Sequence, residues 1–130
     1  MSAGDRILIV DDDESIRKIL SLILNQRGYV VDTAATGEEA ITKSKTKSYD
    51  LALVDVRLPD IECKKLLALL YEAIPKMTKV ILTGYPLTEE AQETITQGVD
   101  GFLAKPVNTD RLLQTVSQLL ERQAKTNSST

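Results

Sequence analysis

The chain has 130 residues, enough for one domain with a real core, and its 42% apolar and 27% charged content is ordinary for a globular protein. A net charge of −3 with no Lys/Arg block argues against direct nucleic-acid binding by these residues. The absence of His excludes a Ser-His-Asp triad, His general-base catalysis and His-ligated zinc, and a lone Cys63 excludes an internal disulfide or a Cys-X-X-Cys centre.

The predicted elements alternate strand and helix. A first strand over 6–10 is a continuous aliphatic run. It is followed by a helix in which Ile16, Ile19, Leu20, Ile23 and Leu24 recur at helical spacing, with Gly28 as the stop. A second strand over 29–33 leads to Thr36-Gly37-Glu38-Glu39, a capping box that opens a weakly apolar helix near 37–46. The third strand spans 50–54, and a third helix at 62–74 carries Leu66, Leu67, Leu69, Leu70 and Ile74, with Pro75 after it. A fourth strand covers 79–83. Thr88 caps a fourth helix at 89–97, closed by Gly98. That helix offers only Ala91 and Ile95 to a core, so it is expected to be loosely held. The fifth strand covers 101–105, and Asn108 caps a fifth helix with the stripe Leu112, Leu113, Val116, Leu119 and Leu120. Residues 1–122 form the expected domain, and 123–130 read as a polar tail or linker stub. No apolar run reaches membrane-span length and the N-terminus has no signal-peptide pattern, so a cytoplasmic location without membrane contact is expected. Five strands alternating with five helices make an α/β doubly wound sandwich.

Four of the strand runs stop at polar residues. Strand one ends at Asp11-Asp12-Asp13, strand three at Asp55, strand four at Thr83 and strand five at Lys105-Pro106, a bond that admits the cis form. In an open parallel sheet the carboxyl ends of the strands share one edge, where ligands bind. An acidic cluster there serves either as helix N-caps or as cation ligands. Capping suits Asp13 and Glu14, and cation binding suits Asp11 and Asp12. Oxygen ligands without His or Cys point to Mg²⁺, with Mn²⁺ or Ca²⁺ as alternatives. Asp55 is either a turn residue or a carboxylate nucleophile toward phosphorus, which needs a cation beside it. Thr83 and Lys105 are a hydrogen-bond donor and a charge for phosphoryl oxygens. Taken singly, each has a plainer reading, as a strand residue and a solvated lysine.

The motifs Ile-Leu-Ile-Val-Asp11-Asp12, Asp55-Val-Arg-Leu-Pro59, Val-Ile-Leu-Thr83-Gly and Gly101-Phe102-Leu-Ala-Lys105-Pro106 give the chain a resemblance, over roughly residues 5–122, to the receiver domains of two-component response regulators. The resemblance implies a flavodoxin-like doubly wound five-stranded parallel sheet with five helices. It also implies that Asp55 accepts a phosphoryl group from the histidine of a sensor kinase or phosphotransfer protein. Asp12 would bind Mg²⁺ directly, Asp11 through water, and Asp55 and the Arg57 backbone carbonyl would complete the protein ligands. Thr83 and Lys105 would bind the phosphoryl oxygens. Phe102 matches an aromatic position that turns inward as Thr83 moves, although core packing is its plainer role. Helix four, strand five and helix five would then signal to an effector protein or output domain, or serve as a homodimer contact. Such a protein is no enzyme apart from its own aspartyl phosphorylation and dephosphorylation.

Two features depart from or refine that pattern. Cys63 stands where the family usually has Gly, so helix three is expected to start differently, and Cys63 is read as an inert small residue. Arg57 and Tyr85, each two residues beyond a site residue, are large enough to shield phosphorus from water, which implies slow autodephosphorylation. Three rivals remain. An aspartyl phosphotransferase or phosphatase of the haloacid-dehalogenase type would resemble Asp-x-Asp where Arg57 stands. A flavodoxin-like cofactor binder would place phosphate against Asp11–Glu14. A pseudo-receiver would keep the fold as an interaction module without phosphorylation.

Overall fold

The computed structural model describes residues 4–84 and 99–128, with the backbone alone for 126–128. The elements are β1 (Arg6–Val10), α1 (Glu14–Gln26), β2 (Val30–Ala34), α2 (Gly37–Thr46), β3 (Leu51–Asp55), α3 (Cys63–Ala73), β4 (Thr78–Thr83), β5 (Gly101–Ala104) and α4 (Thr109–Ser128). The helix predicted at 89–97, with its cap Thr88 and with Tyr85 and Gly98, lies outside the described residues, so the fifth helix of the sequence reading is α4.

Period-two alternation builds two cores on one sheet. In β1, Ile7 and Ile9 face α1 and α4, while Leu8 and Val10 face α2 and α3. β3 and β4 repeat the pattern with Leu51, Leu53, Val80 and Leu82 on the first face and Ala52, Val54 and Ile81 on the second. The sheet is parallel throughout with order β2-β1-β3-β4-β5, so the three aliphatic runs occupy its centre. This is the doubly wound flavodoxin-like order, with its switch point between β1 and β3.

Local chemistry sets the element ends. Asp13 caps α1, its Oδ1 accepting from Ser15 N at 2.8 Å and Ile16 N at 3.3 Å. At the other end Gly28, at φ 91°, lets Gly28 N–H reach Asn25 O at 3.0 Å and Tyr29 N–H reach Leu24 O at 3.3 Å. Tyr29 thereby belongs to the helix stop, and β2 begins one residue later than predicted. Thr36 Oγ1 accepts from Glu39 N–H at 3.0 Å as the capping box requires, while the Glu39 carboxylate pairs with Lys43 at 3.4 Å. Asn108 Oδ1 accepts from Arg111 N–H at 3.0 Å and caps α4.

Two packing expectations change. Ile19, counted in the apolar stripe of α1, sits at its edge and is 57% exposed. The last helix runs on to Ser128, through the stretch predicted as a polar tail. Gln123 holds it there: its Nε2 lies 2.8 Å from Asp50 O, 2.9 Å from Lys76 O and 3.1 Å from Thr78 Oγ1, at the amino-terminal edge of the sheet. Among the described residues no helix is long and apolar enough to cross a membrane.

Beneath α2, the buried Tyr49 hydroxyl donates to Asp32 Oδ2 at 2.6 Å, and Lys47 Nζ approaches the same oxygen at 3.3 Å. The Tyr49 hydrogen bond, opposed by burial and aided by Lys47 and Lys43, holds the Asp32 carboxyl below the usual 3.8. A lowered folded pKa gives stability that is complete above 3.8 and is lost as pH falls through the lower folded value. Tyr49→Phe is therefore expected to cost about 1–2 kcal/mol in urea unfolding at neutral pH. The deficit should shrink in acid, and one independent of pH would contradict this account.

Candidate functional site

The register brings the site together before any side chain is placed. Val10 pairs with Val54, so Asp11, just past β1, and Asp55, ending β3, are neighbours at the carboxyl edge. Asp55 pairs with Leu82, one residue short of Thr83, and Thr83 pairs with Ala104, one residue short of Lys105. β3 ends one residue later than predicted because Val56 N–H continues the ladder to Leu82 O at 3.0 Å.

Asp11 and Asp55 are held by the same device. Asp11 Oδ1 accepts the N–H of Asp13 at 2.9 Å, and Asp55 Oδ1 accepts the N–H of Arg57 at 3.1 Å, each a turn closed two residues on. The other oxygen of each faces one cation: Lys105 Nζ lies 2.9 Å from Asp11 Oδ2 and 3.3 Å from Asp55 Oδ2. Asp11 Oδ2 is wholly buried, and its contact with Lys105 is an ion pair without a well-directed hydrogen bond. Arg17, one turn into α1, donates from Nη1 to Asp11 O at 2.8 Å and fixes the backbone.

Asp12 is exposed, yet one oxygen each from Asp11, Asp12 and Asp55 lie within 4.8 Å of one another. Asp13 and Glu14 turn away, Asp13 as the cap of α1 and Glu14 toward Lys18 at 3.1 Å. Thr83 is half-buried, and its carbonyl accepts the Lys105 N–H at 2.8 Å. The Lys105–Pro106 bond is cis. Phe102 is 36% exposed on the edge strand and is no core residue. Arg57 is exposed, and its backbone forms an isolated antiparallel β-bridge with that of Glu62, closing the loop after β3.

Cys63 begins α3 with no positive φ, and Glu62 before it makes no side-chain cap. Burial first, then the charge of Asp55, pushes the Cys63 thiol up to about 11, which suits an unreactive residue. Sequence reasoning gave no role to Arg17 or Asp60. Arg17 lies six residues after Asp11 on a helix that returns over it, a spacing that was available. Asp60 accepts from Gly37 N–H and Glu38 N–H, both at 3.0 Å, across a separation no local pattern reveals.

A parallel doubly wound sheet with two buried carboxylates and a lysine at its carboxyl edge defines a class, and the chain belongs to it. It is a member of the response regulator receiver domain family of two-component systems, matched over residues 7–117. It is 36% identical over 118 residues to the transcriptional regulatory protein GlrR of Escherichia coli (strain K12), covering 91% of this chain and 27% of that relative. It is 30% identical over 117 residues to the cell cycle response regulator CtrA of Brucella ovis, covering 90% of this chain and 50% of that relative. The chain thus spans a quarter to a half of the length of these relatives. The crystal structure of a CheY-like response regulator receiver domain protein from Methanospirillum hungatei JF-1 superposes with a TM-score of 0.88 at 38% identity, covering 95% of this chain and 98% of that one.

Burial raises the pKa of Asp55 above 3.8; the Arg57 N–H opposes it, the charge of Asp11 adds to it, and Lys105 opposes it. Around Lys105, burial disfavours the charge, but the close contact and attraction of Asp11, and then of Asp55, outweigh it and raise its pKa. A carboxyl with a raised folded pKa gives stability that is complete below 3.8 and lost as pH rises through the folded value. Asp55→Asn, neutral at every pH, should therefore raise Tm by several degrees in metal-free protein at neutral pH. Thermal scans in chelator should show that gain narrowing as pH falls toward 3.8. A variant with unchanged or lower Tm at neutral pH would refute the assignment.

Proposed function

We propose that this chain is a Mg²⁺-dependent phosphoacceptor switch. The observation that carries the reading is the convergence of Asp11, Asp12 and Asp55 within 4.8 Å, with Lys105 clasping two of them. Three carboxylates against one ammonium leave two net negative charges, which is what a divalent cation neutralises. The all-oxygen donor set and the buried Asp11 Oδ2 fit Mg²⁺. Asp12 and Asp55 would hold it, with the Arg57 carbonyl, and Asp11 through water. The ion would supply Lewis-acid neutralisation of the crowded carboxylates and phosphoryl oxygens.

In this reading Asp55 attacks the phosphorus of a partner's phosphohistidine. A phosphorus–oxygen bond to Asp55 forms, the phosphorus–nitrogen bond breaks, and the imidazole leaves to take a proton. Lys105 releases Asp55 and pairs with a phosphoryl oxygen, where its charge offsets the new negative charge. Thr83, at the same edge, donates its hydroxyl to another. The displacement of Thr83 lets Phe102 exchange its exposed position for an inward one, so phosphorylation shifts a two-state population. The surface that changes is β5, α4 and the predicted helix 89–97.

The partners in this reading are a sensor histidine kinase or phosphotransfer protein and a downstream effector or output domain. The surface around β5 also offers a homodimer contact. The receiver unit extends past the expected boundary at 122, since its last helix runs to Ser128 with Gln123 anchored on the sheet. The setting is cytoplasmic, with no membrane or direct nucleic-acid contact by this chain, and the activity is confined to its own aspartyl phosphate. The names of the relatives, a transcriptional regulatory protein and a cell cycle response regulator, support an output role.

Intact mass after incubation with Mg²⁺ and acetyl phosphate tests the reading. One phosphoryl adduct is expected, abolished by chelator and by Asp55→Asn. A folded wild-type protein without adduct would favour the pseudo-receiver, and an adduct persisting in the variant would place the acceptor elsewhere.

A further inference from the structure

The loop after β3 is more firmly built than a connection needs to be. The backbones of Arg57 and Glu62 form an antiparallel β-bridge across its base, and Arg57 N–H closes onto Asp55 Oδ1. Its tip docks on a different element, the N-terminus of α2. Asp60 Oδ1 accepts from Gly37 N–H and Oδ2 from Glu38 N–H, both at 3.0 Å. With Thr36 Oγ1 taking Glu39 N–H, the first three helical N–H groups of α2 all have acceptors. The next side chain, Ile61, lies against Gly37 so closely that a Cβ there would collide with its Cγ2 methyl. Ile61, Val56, Leu58 and Cys63 all pack on the core beneath α2 and α3.

Asp60 is exposed, so this contact is no core requirement; what it fixes is the shape of the segment between Asp55 and α3. Backbone N–H bonds from Gly37 and Glu38 hold the Asp60 carboxyl below the usual range, so it is charged wherever the site works. We propose that Asp60 is a positioning residue for the metal and phosphoryl chemistry at Asp55. Its fork onto Gly37 and Glu38 holds the 56–62 loop in the shape that presents Asp55 and the Arg57 backbone to the cation, and Gly37 is glycine so that the loop can dock. The inference rests on the Mg²⁺-dependent reading above and adds a residue outside the ligand set.

Mg²⁺ titration by calorimetry, with Tm measured alongside, separates positioning from charge and from stability. Asp60→Ala should raise the Mg²⁺ dissociation constant about tenfold, the range of losses seen when supports behind metal ligands are removed. Asp60→Asn loses the same charge but keeps one acceptor oxygen, and should recover most of the affinity. Gly37→Ala, which leaves the charge in place and lifts the loop off, should weaken Mg²⁺ as Asp60→Ala does. The rate of adduct formation from acetyl phosphate should fall at low Mg²⁺ and return to wild-type at saturation. An unchanged dissociation constant in a destabilised Asp60→Ala would overturn the proposal. So would Asp60→Asn matching Asp60→Ala while Gly37→Ala binds normally, because charge alone would then account for the effect. A wild-type protein that takes no Mg²⁺ would overturn the underlying functional reading instead, and this inference with it.

Discussion

The structure turns on an electrostatic conflict between Asp11 and Asp55. Both are buried at the ends of neighbouring strands, where low dielectric strengthens repulsion between like charges. Lys105 relieves it by standing between them, and can do so because the sheet order brings the end of β5 to the same edge as β1 and β3. Desolvation opposes all three charges, so the triad is a poor source of stability. In the proposed switch the arrangement is a poised one, in which a divalent cation completes the neutralisation.

The rest of the scaffold serves the aim of those two carboxylates. Each spends one oxygen on the backbone N–H two residues ahead and turns the other toward Lys105. The turn at Asp11 runs straight into the Asp13 cap of α1, and Arg17 on that helix reaches back to the Asp11 carbonyl. The turn at Asp55 runs into the 56–62 loop, which α2 anchors through Asp60. One carboxylate is thus steadied from α1 on one face of the sheet and the other from α2 on the opposite face. The proposed switch depends on residues that never meet the phosphoryl group.

Much of this was legible in the sequence because it is local. Continuous aliphatic runs marked the central strands, Asp13, Thr36 and Asn108 capped helices as their spacing implied, and Asp11, Asp55, Thr83 and Lys105 were visible as strand-end residues. What was not legible depends on tertiary partners. Asp60 carried no local signal, and only the fold brings Gly37 to it. Residues 123–130 read as a tail because their composition is polar, but the helix runs on to Ser128 and Gln123 finds three acceptors at the far edge of the sheet. Helical periodicity placed Ile19 in the buried stripe of α1, while in the fold that position lies at the edge of the stripe and faces solvent. One-residue shifts of β2 and β3 arise from Tyr29 closing a helix and Val56 extending a ladder.

The central claim is that the two charges left uncompensated by Lys105 are matched by a divalent cation. Anomalous diffraction from crystals grown with saturating Mn²⁺, which shares the preference of Mg²⁺ for oxygen ligands, addresses it most directly. The account predicts a single strong peak bounded by the carboxylates of Asp11, Asp12 and Asp55. A peak elsewhere, or Asp11 and Asp55 still clasped by Lys105 with no metal between them, would contradict it.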